Sequence, residues 1–498
     1  MEITPAYLVD PPDVIDIDLG RQLFVDDFLI EESSLYRTFH KASYHPASPL
    51  LTPVGARERR DPHAELTGTP QSPAAMVFSD GVFFDPADRV YKMWYMAGYQ
   101  QHTALALSRD GVQWERPALD VVPGTNIVST EARDSSAVWL DLDARDAESR
   151  YKRATYEMDA RAIALSVSRD GVHWQRLGIA GRGGDRSTAF YNAFRGVWVF
   201  SLRNDTEGLH RLRRYLESRN FRATRWQPDD PVLWAAADRL DAVRPDTGAT
   251  AQLYNLDAVA YESLLLGLFT IFRGERPDRE KPNELCLGFS RDGFHWHRPS
   301  RAPFIGVSER QGDWNWANVQ SAGGCCLIVG DQLYFYVSGR AGVPGTDAPG
   351  VSSTGLATLR RDGFASVSDV WPPGMARTVE GPATSLITRP VRFSGGHFFV
   401  NADIEGELRV ELLDRAGKVI APFTADRSVP LTGDHTRARV TWRDRPSIAS
   451  LAGEPVRIRF VLTRARLYAF WVSASDRGAS GGYVAAGGPG FTSARDTI

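Results

Sequence analysis

Four segments of the sequence place a side chain able to do chemistry just ahead of, or among, small residues that open an extended stretch. They are Arg133-Asp134-Ser135-Ser136-Ala137, Asp185-Arg186-Ser187-Thr188-Ala189, Asn255-Leu256-Asp257-Ala258 and Asn318-Val319-Gln320-Ser321-Ala322. Three of the four carry an acid: Asp134, Asp185 and Asp257. Carboxylates that converge on one point can divide the labour of bond cleavage, one donating a proton and another attacking or activating water. A third can raise the acid's pKa or hold a substrate hydroxyl. An aspartate at a strand start also caps turns, so what marks these three is their equivalent placement rather than their type.

Equivalent placement requires a repeat, and the sequence contains one. Ser108-Arg109-Asp110-Gly111-Val112-Gln113-Trp114 recurs as Ser168-Arg169-Asp170-Gly171-Val172-His173-Trp174 and as Ser290-Arg291-Asp292-Gly293-Phe294-His295-Trp296. A degenerate copy, Arg361-Asp362-Gly363-Phe364, lacks the tryptophan. Successive aspartates are 60, 122 and 70 residues apart, so the middle gap spans two periods and predicts an eroded copy at Glu217-Ser218-Arg219-Asn220-Phe221 with Trp226. Asp-Gly between extended segments makes a tight turn, because glycine takes the positive φ and aspartate bonds the local backbone. Most copies follow an apolar, aromatic strand such as Val90-Tyr91-Lys92-Met93-Trp94-Tyr95-Met96 or Leu333-Tyr334-Phe335-Tyr336-Val337. A further strand lies upstream, for example Ala75 to Phe78 across an Asp80-Gly81 turn. Four strands per period, five times over, predict an all-β fold: a five-bladed β-propeller. Its first strands line a central channel, which would gather the starts of the four segments above at one mouth.

Beyond the repeat the pattern becomes two-residue alternation, as in Leu408-Arg409-Val410-Glu411-Leu412 and Val456-Arg457-Ile458-Arg459-Phe460, which predicts a small β-sandwich. The expected division is residues 1–64 as a segment packing on the propeller, 65–377 as the propeller, 378–472 as the sandwich and 473–498 as a flexible Gly/Ala/Ser-rich tail.

Composition restricts the function classes. The 498 residues carry 58 basic and 61 acidic side chains, a net charge of −3, which offers no broad field for nucleic acid or anionic membranes. No apolar run approaches the roughly 20 residues that span a bilayer, and the amino terminus has no leader pattern, so a cytoplasmic location is expected. Cys325 and Cys326 are adjacent and Cys286 stands alone, which fits free buried thiols and gives no metal spacing. Aromatics make up 11% of the chain, including 13 tryptophans, as suits strands and surfaces that stack on sugar rings.

The blade turns, the segment His45-Pro46-Ala47-Ser48-Pro49-Leu50-Leu51, the Asp80-Gly81 turn before Tyr91-Lys92-Met93-Trp94-Tyr95, and the terminal sandwich together resemble the five-bladed propeller glycosidases. That broad group contains glycoside hydrolase families 32, 43, 68, 117 and 130, and the resemblance spans about residues 39–470. It implies hydrolysis of an O-glycosidic bond in a small glycoside or oligosaccharide, with furanosides such as fructofuranosides or arabinofuranosides favoured, by a carboxylate pair and without a cofactor. A cation in the channel is left open. The group's carboxylates are expected in blades one to three, but the blade-one position falls at Gln71-Ser72-Pro73, which has no acid. The set therefore either moves on by one blade, to Asp134, Asp185 and Asp257, or draws on Asp61, Glu65, Asp26 or Asp27.

Around the acids, Arg186 either pairs with Asp185 or binds a substrate hydroxyl or carboxylate. Tyr254 and Trp316 either stack on a sugar or pack in the core, and Asn255, Asn318, Gln320 and Glu65 are the further candidate sugar-binding groups. Two other activities share the expected fold: a phosphorylase or transglycosylase with a cationic anion subsite, and a non-catalytic sugar-binding propeller. Homo-oligomerisation is left open, since the sandwich could be a dimer surface.

Overall fold

The structure, a computed structural model, describes residues 4–206, 210–371 and 384–497. Five antiparallel sheets stand in sequence around one axis. From the inside outward, blade one is Ala75–Asp85, Val90–Ala97, His102–Ser108 and Ile127–Ser129, and blade two is Ser136–Leu140, Tyr151–Glu157, Ala162–Ser168 and Gln175–Arg182. Blade three is Thr188–Asn192, Val197–Thr206, His210–Ser218 and Val232–Ala235. Blade four holds Gln252–Glu262, Leu264–Phe272 and Asn283–Ser290, and blade five Asn318–Ser321 with Leu327–Val329, then Gln332–Arg340 and Ser352–Arg360. Each blade is covered on both faces by its neighbours, so its inner strands read as continuous apolar runs: Leu264–Phe272 is buried throughout.

The repeated turn joins the third and fourth strands and also latches one blade to the next. In blade one, Asp110 Oδ1 accepts from the Val112 and Gln113 amides at 2.8 Å each, and Ser108 Oγ accepts from the Gly111 amide at 2.8 Å. Gly111 has φ 76°, and its carbonyl accepts from Tyr336 of blade five at 2.6 Å. In the same way Trp94 of blade one donates to the Gly171 carbonyl at 2.8 Å, and Asn192 of blade three to the Gly293 carbonyl at 2.8 Å. The eroded copy keeps the local pattern, with Asn220 Oδ1 accepting from the Arg222 and Ala223 amides. In the degenerate copy Asp362 turns inward and is held by Tyr261, Arg21 and Asn401. The Arg291 side chain of the blade-four turn is buried against Asp26 at 2.8 Å, which ties the amino-terminal segment to that turn.

Both ends of the chain complete the architecture. Ser43–Tyr44 is the outermost strand of blade five, so the propeller takes a strand from ahead of residue 65. The sandwich likewise draws in Ile15–Asp16, Gln22–Leu23, Ile30–Ser33, Tyr36–Phe39 and Ala365–Ser368 to make a ten-stranded sheet. Its two 18-residue strands, His397–Asp414 and Val456–Ser473, are bulged after Asn401 and Ile404, and the sheet folds over a core that contains Phe398, Phe460 and Phe470. The expected boundary at 377–378 lies outside the described residues.

The segment 473–498 was expected to be flexible and is instead packed as far as Asp496. Tyr483–Val484 pairs with the inner strand of blade four, the Ala486 carbonyl accepts from Phe84 of blade one, and the Gly487 carbonyl accepts from Ile328 of blade five. Val484 and Ala486 are buried, and the Ser480 hydroxyl donates to the buried Glu262 carboxylate at 2.7 Å. Small residues are required here: a Cβ on Gly482 or Gly488 would collide with Glu262 or the Ile328 carbonyl. The tail thereby lies against the ends of inner strands from three blades and covers the far mouth of the channel.

Candidate functional site

Within a blade, the start of the first strand and the end of the second lie at the same mouth. Asp134 precedes Ser136–Leu140 and Asp185 precedes Thr188–Asn192, while Tyr156 and Arg203 come from the ends of the adjoining second strands. With Gln100 from a turn of blade one, these residues wall a cavity of about 750 Å³ over blades two and three. Asp134 is 7% exposed and accepts from Gln100 Nε2 at 3.2 Å and from the Arg186 amide at 3.3 Å. Asp185 is more open, its side chain 36% exposed, and is ion-paired with Arg203.

Asp257, expected to join these two, is not on that wall. It is fully buried on the channel axis, bonded by the Ser321 hydroxyl and by Asn255 Nδ2 at 2.7 Å; Asn255 also reaches Ser79 of blade one at 3.3 Å. Burial raises the Asp257 carboxyl above the usual carboxylate range against the pull of Ser321 and Arg186. The channel is thus filled by a polar network, and the open space lies beside it.

Other expected site residues are distributed around that network. The Arg186 guanidinium lies 3.7 Å over the Phe78 ring and 5.9 Å from that of Tyr254. Tyr254 is itself stacked on Phe272 with centroids 6.2 Å apart. Asn318 donates to the Lys281 carbonyl at 2.9 Å and accepts from Gln320 at 2.8 Å. Trp316 has its face covered by Arg279 at 5.0 Å, so it is a packing residue here. Glu65 is on the surface helix Pro62–Thr67, paired with Arg60 at 3.1 Å, and does not line the cavity. Asp61 caps that helix through the Ala64 amide, Asp27 pairs with Arg37, and Asp26 holds Arg291. Among the described residues no group of three or more His, Cys, Asp or Glu side chains is placed to hold a metal ion.

The sequence reading missed Asp80. Its Asp-Gly pair reads as a hairpin, yet Ala75–Asp85 is one strand whose pairing jumps from Met76 to Gly81 with Ser79 at φ 66°, so Asp80 is turned into the interior. Burial pushes its carboxyl up to about 6, although Arg133 pulls it down from 2.9 Å. Arg133 in turn donates to the Asp134 carbonyl at 2.9 Å. Asp80 therefore positions the Asp134 backbone through Arg133. Gln100 and Arg203 were missed because only first-strand starts were aligned; second-strand ends reach the same mouth.

No protein-family model and no curated protein matches this chain. Solved structures with a similar course of chain include an N-acetylgalactosamine deacetylase from F. plautii in complex with blood group B trisaccharide, at 15% identity and TM-score 0.44, covering 67% of this chain and 97% of that one. A thermostable family-43 glycoside hydrolase follows at 13% and 0.40, covering 60% and 95%. A fructofuranosidase from Schwanniomyces occidentalis complexed with fructosylnystose stands at 12% and 0.37, covering 78% and 93%. The propeller assignment rests on the strand pairing of this chain itself, an all-β fold of five blades joined to a sandwich.

Proposed function

We propose that this protein hydrolyses an O-glycosidic bond of a small glycoside or oligosaccharide, with Asp134 and Asp185 as its carboxylate pair. The observation that carries the reading is that two acids from consecutive blades, and only from matching places in those blades, share the wall of one cavity. About 750 Å³ is within the range of pockets that enclose a small ligand. One carboxyl would protonate the leaving oxygen while the other attacks the anomeric carbon or activates water. Gln100 and the Arg186 amide orient Asp134; Arg203 orients Asp185. A pure sugar-binding propeller would rely on stacked rings, and this wall carries one aromatic side chain, Tyr156, against two carboxylates and several guanidinium groups.

The test is turnover of a panel of nitrophenyl furanosides and pyranosides with sucrose, inulin and arabinan, comparing the wild type with Asp134→Asn and Asp185→Asn. Loss of one acid or base role is expected to lower kcat by about 10²–10⁴-fold while the melting temperature holds. Asp257→Asn is expected to act on stability more than on turnover. Full turnover in both wall variants would remove the assignment.

A further inference from the structure

Arg186 is 1% exposed, and among the described residues its Nε, Nη1 and Nη2 all lack a hydrogen-bond partner. A guanidinium offers five donors and a permanent charge, and leaving all of them unmatched out of water is costly. Burial works against the charged form here, and Asp134, the nearest opposing charge, only partly compensates. Asp134 is bonded to the Arg186 main chain rather than to its side chain. Behind it, the fully buried Arg213 donates Nη1 to the Arg186 carbonyl at 2.8 Å and keeps Nε and Nη2 unpartnered. Arg340 approaches the same Phe78 ring at 5.6 Å, tied to Glu280.

Arg186 lies beneath the cavity and not on its wall, one residue on from Asp185, and the wall above it continues the excess. Arg161, Arg182, Arg203 and Arg214 face Asp134 and Asp185, four cations to two anions, in a chain whose net charge is −3. Arg161 and Arg182 are exposed and have no carboxylate at ion-pair distance among the described residues. A planar guanidinium stacked on Phe78 with every nitrogen unmatched is suited to two parallel hydrogen bonds with a carboxylate or phosphate.

We propose that Arg186, backed by Arg213 and approached past Arg161 and Arg182, seats an oxyanion, and that the glycoside cleaved here carries one, such as the carboxylate of a uronic acid. This rests on the glycosidase reading above. Free inorganic phosphate presents similar oxygens, so the experiment separates the two sources.

Melting temperature and calorimetric binding are measured for the full chain with glucuronate, galacturonate, glucose and inorganic phosphate. The uronates are expected to bind and raise the melting temperature, and glucose is not. Arg186→Met keeps an apolar side chain on Phe78 and is expected to weaken uronate binding about ten- to hundredfold, the worth of a charged hydrogen bond or two. The ligand-free variant should also melt higher than the wild type, because an unmatched buried charge is gone; a merely structural arginine would make it melt lower. Arg161→Ala, on the exposed rim, is expected to give a smaller loss that fades as salt is added, and it leaves the core untouched. If uronates bind no better than glucose and neither variant changes this, the seat is refuted, while the glycosidase reading still stands or falls by the turnover of Asp134→Asn. If phosphate alone binds through Arg186 and sugar phosphate appears among the products, the seat is upheld and the anion on the substrate is refuted.

Discussion

Asp80 offers a quantitative test of how the interior beneath the cavity is built. Its carboxyl moves from 3.8 in the unfolded chain to about 6 in the fold, driven by burial and opposed by Arg133. At about 1.36 kcal/mol per unit this is a linkage of about 3 kcal/mol. The folded value is the higher one, so the native state holds its proton more tightly. The stability contributed by the neutral form is fully present below pH 4 and is lost as pH rises through about 6. In Asp80→Asn that loss cannot occur. The variant's stability relative to wild type should therefore climb by about 3 kcal/mol between pH 3 and pH 7. The amide's own gain or loss beside Arg133 adds an offset, but the offset is the same at every pH and drops out of the difference. For 498 residues unfolding as a unit, at about 2.1 cal/mol/K per residue, the change corresponds to roughly 3 °C in melting temperature. Paired melts of the two proteins across that range read it directly. A flat difference, or one that falls with pH, would show that Asp80 is already ionised at no cost and that the Arg133 pair outweighs desolvation.

Two further outcomes follow from the ring and its seal. Gly171→Ala is expected to destabilise by about 2–4 kcal/mol in urea unfolding, because φ is +79° and the new Cβ would stand 2.5 Å from the Trp94 ring that latches blade one to blade two. A wild-type midpoint would mean the latch is not part of the ring's closure. A chain ending at residue 479 is expected to melt lower and to expose the far mouth to hydrogen exchange at Phe84 and Ile328, whose amides bond to Ala486 and Gly487; unchanged protection there would deny the tail its sealing role.

The architecture was legible because the blade turn is a local device with a nonlocal duty. Asp110, Asp170 and Asp292 recur since each must bond its own turn while its glycine presents a carbonyl to the preceding blade, and such a constraint leaves a spaced trace in sequence. What closes the ring leaves no such trace. Ser43–Tyr44 and Tyr483–Val484 are two-residue pairings, too short for any periodicity, and in sequence they fall respectively within a segment expected to pack on the propeller and within an expected flexible tail. Glycine-rich composition predicts mobility where nothing packs on it; here the glycines at 482 and 488 are small so that Glu262 and Ile328 can press against them.

The site was legible to the depth that strand starts can reveal. Asp134 and Asp185 stand two and three residues ahead of their strands, where chain direction fixes which mouth they face, and both reach the cavity. Asp257 lies five residues inside Gln252–Glu262, and each step along a strand carries a residue about 3.3 Å further from that mouth. Thr188 Oγ1 donates to the Leu256 carbonyl at 2.9 Å, which sets Asp257 level with the body of the blade-three inner strand, about three residues deeper than Asp185 and off the cavity wall. Matching the sequence motifs by their residues, without a register against the strand ends, therefore treated three depths as one. Asp80 shares that level, since Ser79 beside it bonds Asn255, which in turn bonds Asp257. Two layers result: an upper one in which Asp134 and Asp185 meet open space, and a lower one in which Asp80 and Asp257 are buried and matched by Arg133, Ser321 and Asn255. Arg186 belongs to the junction between the layers, with its amide on Asp134 above and its guanidinium over Phe78 near Asp257, and so, among the described residues, it combines a buried charge with three unmatched nitrogens.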